Sequence, residues 1–238
     1  MKKSNIDQDI LYEDNHLIIL NKRPSDIVQG DKTGDEPLSE FLKKYIKLKY
    51  NKPGEVFLGV VHRLDRPVSG ALIFARTSKA LSRLNIMLRD GEIHKTYWAV
   101  VKNKPPQPSQ TLVQYLTRNP EKNKSYVSDR PVPGSQKAEL IYRVIDKSDG
   151  YYLLEINLLT GRHHQIRAQL AAMGCPVKGD LKYGYPRSNP GGFIHLHARA
   201  IEFLHPVKKE MIKIIAAPPS DKLWDFFTTN SPPEAIST

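Results

Sequence analysis

The apolar residues of this chain never run long. They come as HLIILN, GALIFA, TYWAVV, AELIYRVI, YYLLEINLL, FIHLHARAIEFL and MIKIIAA, with turn-forming residues between them. Runs of this length, rich in branched and aromatic side chains, are strands. In one of them Tyr152, Leu154, Ile156 and Leu158 alternate with a face carrying Glu155 and Asn157, the period of a half-buried strand. DKSDG joins the runs 138–145 and 151–159 as a hairpin-type turn, so the sheet is expected to be largely antiparallel.

Helical spacing interrupts the strands at a few places. Leu38, Leu42 and Ile46 predict a helix over 37–49. Ser78 is placed to cap a second, which runs to about 90 and ends at Gly91. A third is predicted over 162–173, with Ile166, Leu170 and Met173 as its apolar stripe, and a short fourth over 220–228. Two stretches read as surface loops, KNKPPQPSQ at 102–110 and the polar, basic, Pro-rich 118–136. Residues 1–9 and 228–238 are expected to be flexible ends, with one domain over 10–227 and neither repeat nor linker inside it.

Charge narrows the function. Lys and Arg outnumber Asp and Glu by 36 to 25, a net charge of +11, which suits a polyanionic partner such as nucleic acid. Cys175 is the only cysteine, which excludes an internal disulfide and a cysteine-based zinc site. MKKSNIDQDI lacks the apolar core of a signal peptide, and no stretch approaches the roughly 18 apolar residues of a membrane span. A soluble, cytoplasmic protein is expected.

Three motifs could carry chemistry. In VHRLDRPVSG the acid Asp65 stands between Arg63 and Arg66, ahead of a buried strand at 71–75. Pro67 bars a helix there, and Ser69-Gly70 is expected to turn the chain into the strand. Flanking arginines favour an ionised carboxylate, suited to act as a nucleophile or as partner to a developing cation. A loop aspartate can equally be an Asx turn or a solvated ion pair. In LLTGRHHQIRAQL, Arg162 and His163 are expected in the first turn of the third helix, where exposed N–H groups favour an anion. Arg167 would face elsewhere, free to reach inward to a carboxylate; a solvated basic face is the alternative. In HKTYWAVV a strand would point Lys95, Tyr97 and Ala99 one way and Trp98 the other, with Tyr97 either stacking on a base or filling the core. His195 and His197 share a strand face, but no carboxylate or cysteine completes a metal spacing, and no metal is expected.

HRLDRPVSG, KTYWAV, TGRHHQIR, KGDLKYG and LHARAIEFLHP occur in this order, and together they resemble the RluA-type family of RNA pseudouridine synthases. LYEDNHLIILNKRPSD resembles that family's first strand and its Asn-Lys-Pro turn, and the likeness runs from about 10 to about 220. The resemblance implies an α+β fold, a mixed, mainly antiparallel sheet with flanking helices, over a catalytic domain at 10–227. It also implies the reaction: uracil leaves the ribose through its ring nitrogen, turns, and rejoins through carbon 5, without cofactor. Asp65 then matches the catalytic carboxylate, Arg167 the arginine that pairs with it, and Tyr97 the tyrosine that packs on the flipped uracil. Arg63, Arg66, Lys95, Arg162 and His163 are the expected RNA contacts, with the 118–136 segment. The partner is structured RNA, ribosomal or transfer, and the chain a monomer. Pro67-Val68, His163 and Gln169 depart from the usual family residues and leave the substrate open. A catalytically silent RNA-binding protein and a glycosidic hydrolase are the alternatives; the latter usually needs a second carboxylate.

Overall fold

The structure is a computed structural model that describes residues 6–30 and 34–230. In chain order these form strands β1 (Ile10–Glu13) and β2 (Leu17–Lys22), helix α1 (Leu38–Lys49), strands β3 (Gly59–Val60) and β4 (Ser69–Ala75), and helix α2 (Ser78–Arg89). Strands β5 (His94–Val101), β6 (Ser109–Asn119), β7 (Lys124–Ser128), β8 (Gln136–Ser148) and β9 (Tyr151–Leu158) follow. Helix α3 (Gln165–Ala172), strands β10 (Leu196–Leu204) and β11 (Met211–Ile215), and helix α4 (Lys222–Asn230) complete the fold. It is α+β, with a mixed, mainly antiparallel sheet and four α-helices. Residues 1–5 and 231–238 of the expected flexible ends lie outside the described residues, whereas Ile6–Asp9 form a 3-10 turn.

Contacts divide the chain into two compact units. One takes in residues up to Lys95 together with Ala198–Ala217, the other Thr96–His197 together with residues from Pro218 on. Both boundaries at the core fall inside strands, β5 and β10, which is why composition marks no linker.

In the first unit the strand order is β1-β2-β4-β10, with β3 paired to β4 and β11 to β10. Leu17–Leu20 and all of Ser69–Ala75 are buried, so both faces of β2 and β4 are covered and neither run alternates. Leu17, Ile19, Ile73, Ala80, Leu84 and Phe203 share one apolar cluster. At Gly70, with φ +117°, a Cβ would collide with the backbone of Ala198, so β4 and β10 approach as closely as they do only because this residue has no side chain. Helix α2 is capped by Thr77, whose Oγ1 accepts from the Ala80 N–H at 3.1 Å, rather than by Ser78.

In the second unit the order is β5-β9-β8-β6-β7. Gly150, with φ +84°, closes the β8–β9 hairpin where DKSDG placed it. The stretch read as a loop at 118–136 is in part a second hairpin: Arg118 and Asn119 of β6 face Ser125 and Lys124 of β7. Its apolar side, Leu116 and Val127, packs with Ala168 of α3. Helix α3 is shorter than expected and carries no stripe, because Gln165–Leu170 are all buried. Trp98, Val100 and Leu153 pack with Trp224 and Phe227 of α4.

Candidate active site

Asp65 stands on a tight turn. Its carbonyl accepts from the Val68 N–H at 3.0 Å, with Arg66 and Pro67 between. The turn thus precedes Ser69 and Gly70, which already belong to β4, correcting the expected Ser69-Gly70 turn. Beneath it lies Lys22, the last residue of β2, 1% exposed. The Lys22 ammonium donates to the carbonyls of Val68 at 2.6 Å, Arg23 at 3.0 Å and Arg66 at 3.1 Å. All three of its protons are used, which is how a lysine is tolerated in a core. Burial pushes this ammonium down to about 7, while the fields of Asp26 and Asp65 act to raise it. The Ser25 N–H also donates to the Arg66 carbonyl at 2.8 Å. The acid therefore hangs from a backbone pinned on its inner side.

Both flanking arginines are exposed. Arg66 donates to Asp35 at 2.6 Å. His62 turns inward and accepts the Ile73 N–H at 3.2 Å. Burial pushes the His62 imidazolium down to about 3, so the neutral ring acts as an acceptor. Lys95 is half-buried, and burial lowers its pKa as well.

The second unit holds Arg167 and Tyr97. Arg167 is 4% exposed and reaches inward to a carboxylate: Nε donates to Asp180 at 2.6 Å and Nη2 at 2.9 Å. This two-pronged pair fixes the plane of the guanidinium. Tyr183 packs beneath it with its ring centroid 5.2 Å from the guanidinium carbon, while Lys124 lies 5.1 Å from the same ring. Tyr97 sits in β5 opposite Ile156 of β9 and is 7% exposed; Trp98, on the other face, is 3% exposed, so both faces are covered.

Arg162 and His163 precede α3, correcting their expected place in its first turn. The helix starts at Gln165, after His164 in a left-handed conformation with φ 53°. Arg162 is exposed, and its Nε donates to the Lys137 carbonyl at 2.9 Å. The His163 ring bridges Asn123 at 3.1 Å and Ser125 at 2.9 Å, and stacks on His164 at 3.8 Å. His164 in turn meets the Tyr183 hydroxyl at 3.1 Å, and that hydroxyl accepts the Ser125 N–H at 2.8 Å. His163 thus joins the hairpin to α3. His195 lies 2.8 Å from Asp221 and stacks on Trp224; among the described residues no group of acids, histidines and cysteines is arranged to hold a metal ion.

Residues 16–172, from the start of β2 to the end of α3, match the family described as RNA pseudouridylate synthase. The chain belongs to that family. Its members isomerise uridine in RNA, and the matched span contains Asp65, Tyr97 and Arg167. An RNA pseudouridine synthase of Synechocystis sp. described as uncharacterized is 33% identical over 221 residues, covering 91% of this chain and 67% of the relative. Ribosomal large subunit pseudouridine synthase D of Xylella fastidiosa is 32% identical over 227 residues, covering 90% and 66%. Ribosomal large subunit pseudouridine synthase C of Vibrio cholerae is 30% identical over 221 residues, covering 90% and 67%. The chain therefore spans about two thirds of the length of these relatives. The fold agrees: human RNA pseudouridylate synthase domain containing 4 superposes with a TM-score of 0.78 at 21% identity, over 92% of this chain and 91% of that one. Against this family background, sequence reasoning missed Lys22 and Asp180. Each is a buried charge that the sequence leaves indistinguishable from a surface one, although both lie in stretches quoted for the resemblance, NKRP and KGDLKYG.

Proposed function

We propose that this chain converts uridine to pseudouridine in ribosomal RNA, with Asp65 as the catalytic carboxylate. The observation that carries the reading is the family match over 16–172, with Asp65 held on a turn that buried Lys22 fixes from below. Ribosomal rather than transfer RNA is favoured because two of the relatives are named for the large ribosomal subunit. In the reaction the bond from uracil N1 to the ribose C1′ breaks, the ring turns, and C5 bonds to C1′. The C5 proton is then lost and N1 gains one, so atoms balance without an oxidant or cofactor. Asp65 takes part by attacking the sugar or ring carbon, or by drawing a proton from the sugar.

Tyr97 packs on the flipped uracil and takes the C5 proton; Arg167 keeps the carboxylate ionised and aimed. The fixed guanidinium plane of Arg167 and the packing of Tyr97 support these roles. Arg63, Arg66, Lys95, Arg162 and His163 contact RNA; of these Arg63, Arg66 and Arg162 are exposed. Residues 10–227 act as one catalytic domain, and the family match across the boundary at residues 95–96 supports it. The chain works as a monomer in the cytoplasm; among the described residues no helix is long and apolar enough to cross a membrane.

The test is a pseudouridine map of ribosomal and transfer RNA from cells lacking this chain, repeated after restoring wild type or Asp65→Ala. A site that vanishes, returns with wild type and stays absent with Asp65→Ala is expected. An unchanged map, or full restoration by Asp65→Ala, sinks the catalytic reading and favours an RNA-binding protein. Free uracil as product would instead mark a hydrolase.

A further inference from the structure

Asp180 and Tyr183 leave the chain from one short turn. Tyr183 ends the 3-10 turn Leu181–Tyr183, whose N-cap is Asp180, and its N–H donates to the Asp180 carbonyl at 3.1 Å. Side chains three apart on such a turn lie one above the other. The Asp180 carboxylate thus takes the edge of the Arg167 guanidinium, and the Tyr183 ring lies under it, with 5.2 Å from ring centroid to guanidinium carbon. Gly184 follows with φ +93° and turns the chain away. KGDLKYG therefore delivers two different contacts to one arginine.

The two contacts do different things. The two-pronged pair sets the guanidinium plane at rest, but stiffness against tilting out of that plane is a separate matter. Hydrogen bonds at an sp² oxygen accept a broad range of directions, so rocking about the line through the two carboxylate oxygens is soft. A ring beneath blocks that motion on its side and attracts the cation through its quadrupole. Tyr183 is itself immobilised. The Ser125 N–H donates to its hydroxyl at 2.8 Å, His164 Nδ1 lies 3.1 Å from the same oxygen, and the two rings meet edge to face at 5.7 Å. Ser125 belongs to β7 and His164 is the N-cap of α3, and all three residues are buried. A ring tied at its backbone and at its hydroxyl, from three segments of the chain, is a rigid floor.

We infer that Tyr183 is a positioning residue for the isomerisation, holding the Arg167 guanidinium against tilting so that the arginine keeps its aim on the catalytic carboxylate. This rests on the role proposed for Arg167 and adds to it a residue that acts only through the arginine. The ring serves the arginine and the hydroxyl serves the fold, so the two can be removed separately.

The test measures melting temperature and single-turnover conversion of ribosomal RNA from cells lacking this chain, with the full chain in excess. Tyr183→Phe keeps the ring and takes away the acceptor of the buried Ser125 N–H. It should melt lower than wild type, yet stay within about twofold of its rate. Tyr183→Leu removes the ring and should slow the maximal rate about tenfold, with the enzyme concentration for half-maximal rate unchanged. Tyr183→Met carries the same expectation and is made alongside, so that a leucine variant that does not fold leaves the question answerable. In an Arg167→Lys background Tyr183→Leu should cost less than about a further twofold, because an ammonium has no plane to hold. A merely structural tyrosine would make rate follow melting temperature, so a Tyr183→Phe as slow as Tyr183→Leu overturns the inference. So does a wild-type rate in the ringless variants, a loss confined to binding, or an undiminished tenfold cost in the Arg167→Lys background. A wild type that converts no uridine sinks the enzymatic reading and this inference with it. A wild type that turns over while Tyr183→Leu keeps pace sinks the inference alone.

Discussion

The Asp65 turn and the Arg167 pair solve the same problem in opposite ways. Around Asp65 the backbone is fixed and the side chain hangs from it: Lys22 grips the carbonyls of Arg23, Arg66 and Val68. Around Arg167 the side chain itself is fixed, with both prongs on Asp180 and Tyr183 beneath. In each case a buried charge does the holding. In the first it is a cation holding backbone oxygens, and it stays in place if the acid is cut away. In the second, removal of one partner takes away the two-pronged contact that fixes the other, a charge buried in the core. The two regions should therefore answer very differently to substitution.

Asp65→Asn gives the widest separation between activity and stability. It removes the anionic charge and leaves the turn, whose hydrogen bonds run through main-chain oxygens. Turnover should fall on the order of 10³-fold or more, while the melting temperature stays within a few degrees. Single-turnover conversion of the RNA and calorimetry read the two quantities. A melting temperature that falls together with activity would show that the carboxylate is needed to build the turn.

Asp180→Ala should do the reverse. Arg167 at 4% and Asp180 at 1% exposure are both desolvated, and removing one side of a buried ion pair costs about 3–5 kcal/mol. Denaturant unfolding measures it, and a loss under about 1 kcal/mol would show that the Asp180 pair is not what holds the arginine's charge in the core. Asp180→Asn keeps the shape and one acceptor, and should recover part of that loss.

These two contrasts explain what was legible in the sequence. The strands were readable because burial writes itself as apolar runs: Leu17–Leu20 and Ala71–Ala75 are buried where HLIILN and GALIFA stand. The β6–β7 hairpin escaped because its edge strand KSYVS buries only Ser125 outright, and so shows no apolar period. The start of α3 escaped because a histidine, not a glycine or an N-cap residue, takes the left-handed position at 164. Asp65, Tyr97 and Arg167 stood out through motif and charge, whereas Lys22 and Asp180 do their work through burial, which residue identity does not announce.

Gly70→Ala probes the first unit without touching any charge. The new methyl meets the backbone of Ala198 and forces a side chain onto φ +117°, a conformation that costs roughly 1–3 kcal/mol before any clash is counted. Stability should fall by at least that much. Activity should fall with it, because Gly70 pairs with Lys22 across β4 and β2, next to the turn's anchor. A variant of wild-type stability would mean that β4 and β10 can separate at no cost.

The smallest effect is the one that tests whether Lys22 holds the turn as a buried cation. Its ammonium titrates near 7 in the fold, because burial outweighs the pull of Asp26 and Asp65, against an ordinary value of 10.5 in the unfolded chain. Between those values the unfolded chain binds the proton that the folded chain has begun to release. This group therefore makes stability rise with pH across that window, by at most about 1.4 kcal/mol per unit. Lys22→Met keeps the length and removes the titration, at the cost of three orphaned carbonyl acceptors. The variant should be less stable at every pH, and its stability curve between pH 7.5 and 9.5 should be flatter than that of wild type. If the two curves run parallel, Lys22 keeps its full charge throughout, and the turn is held by a cation that burial does not unsettle.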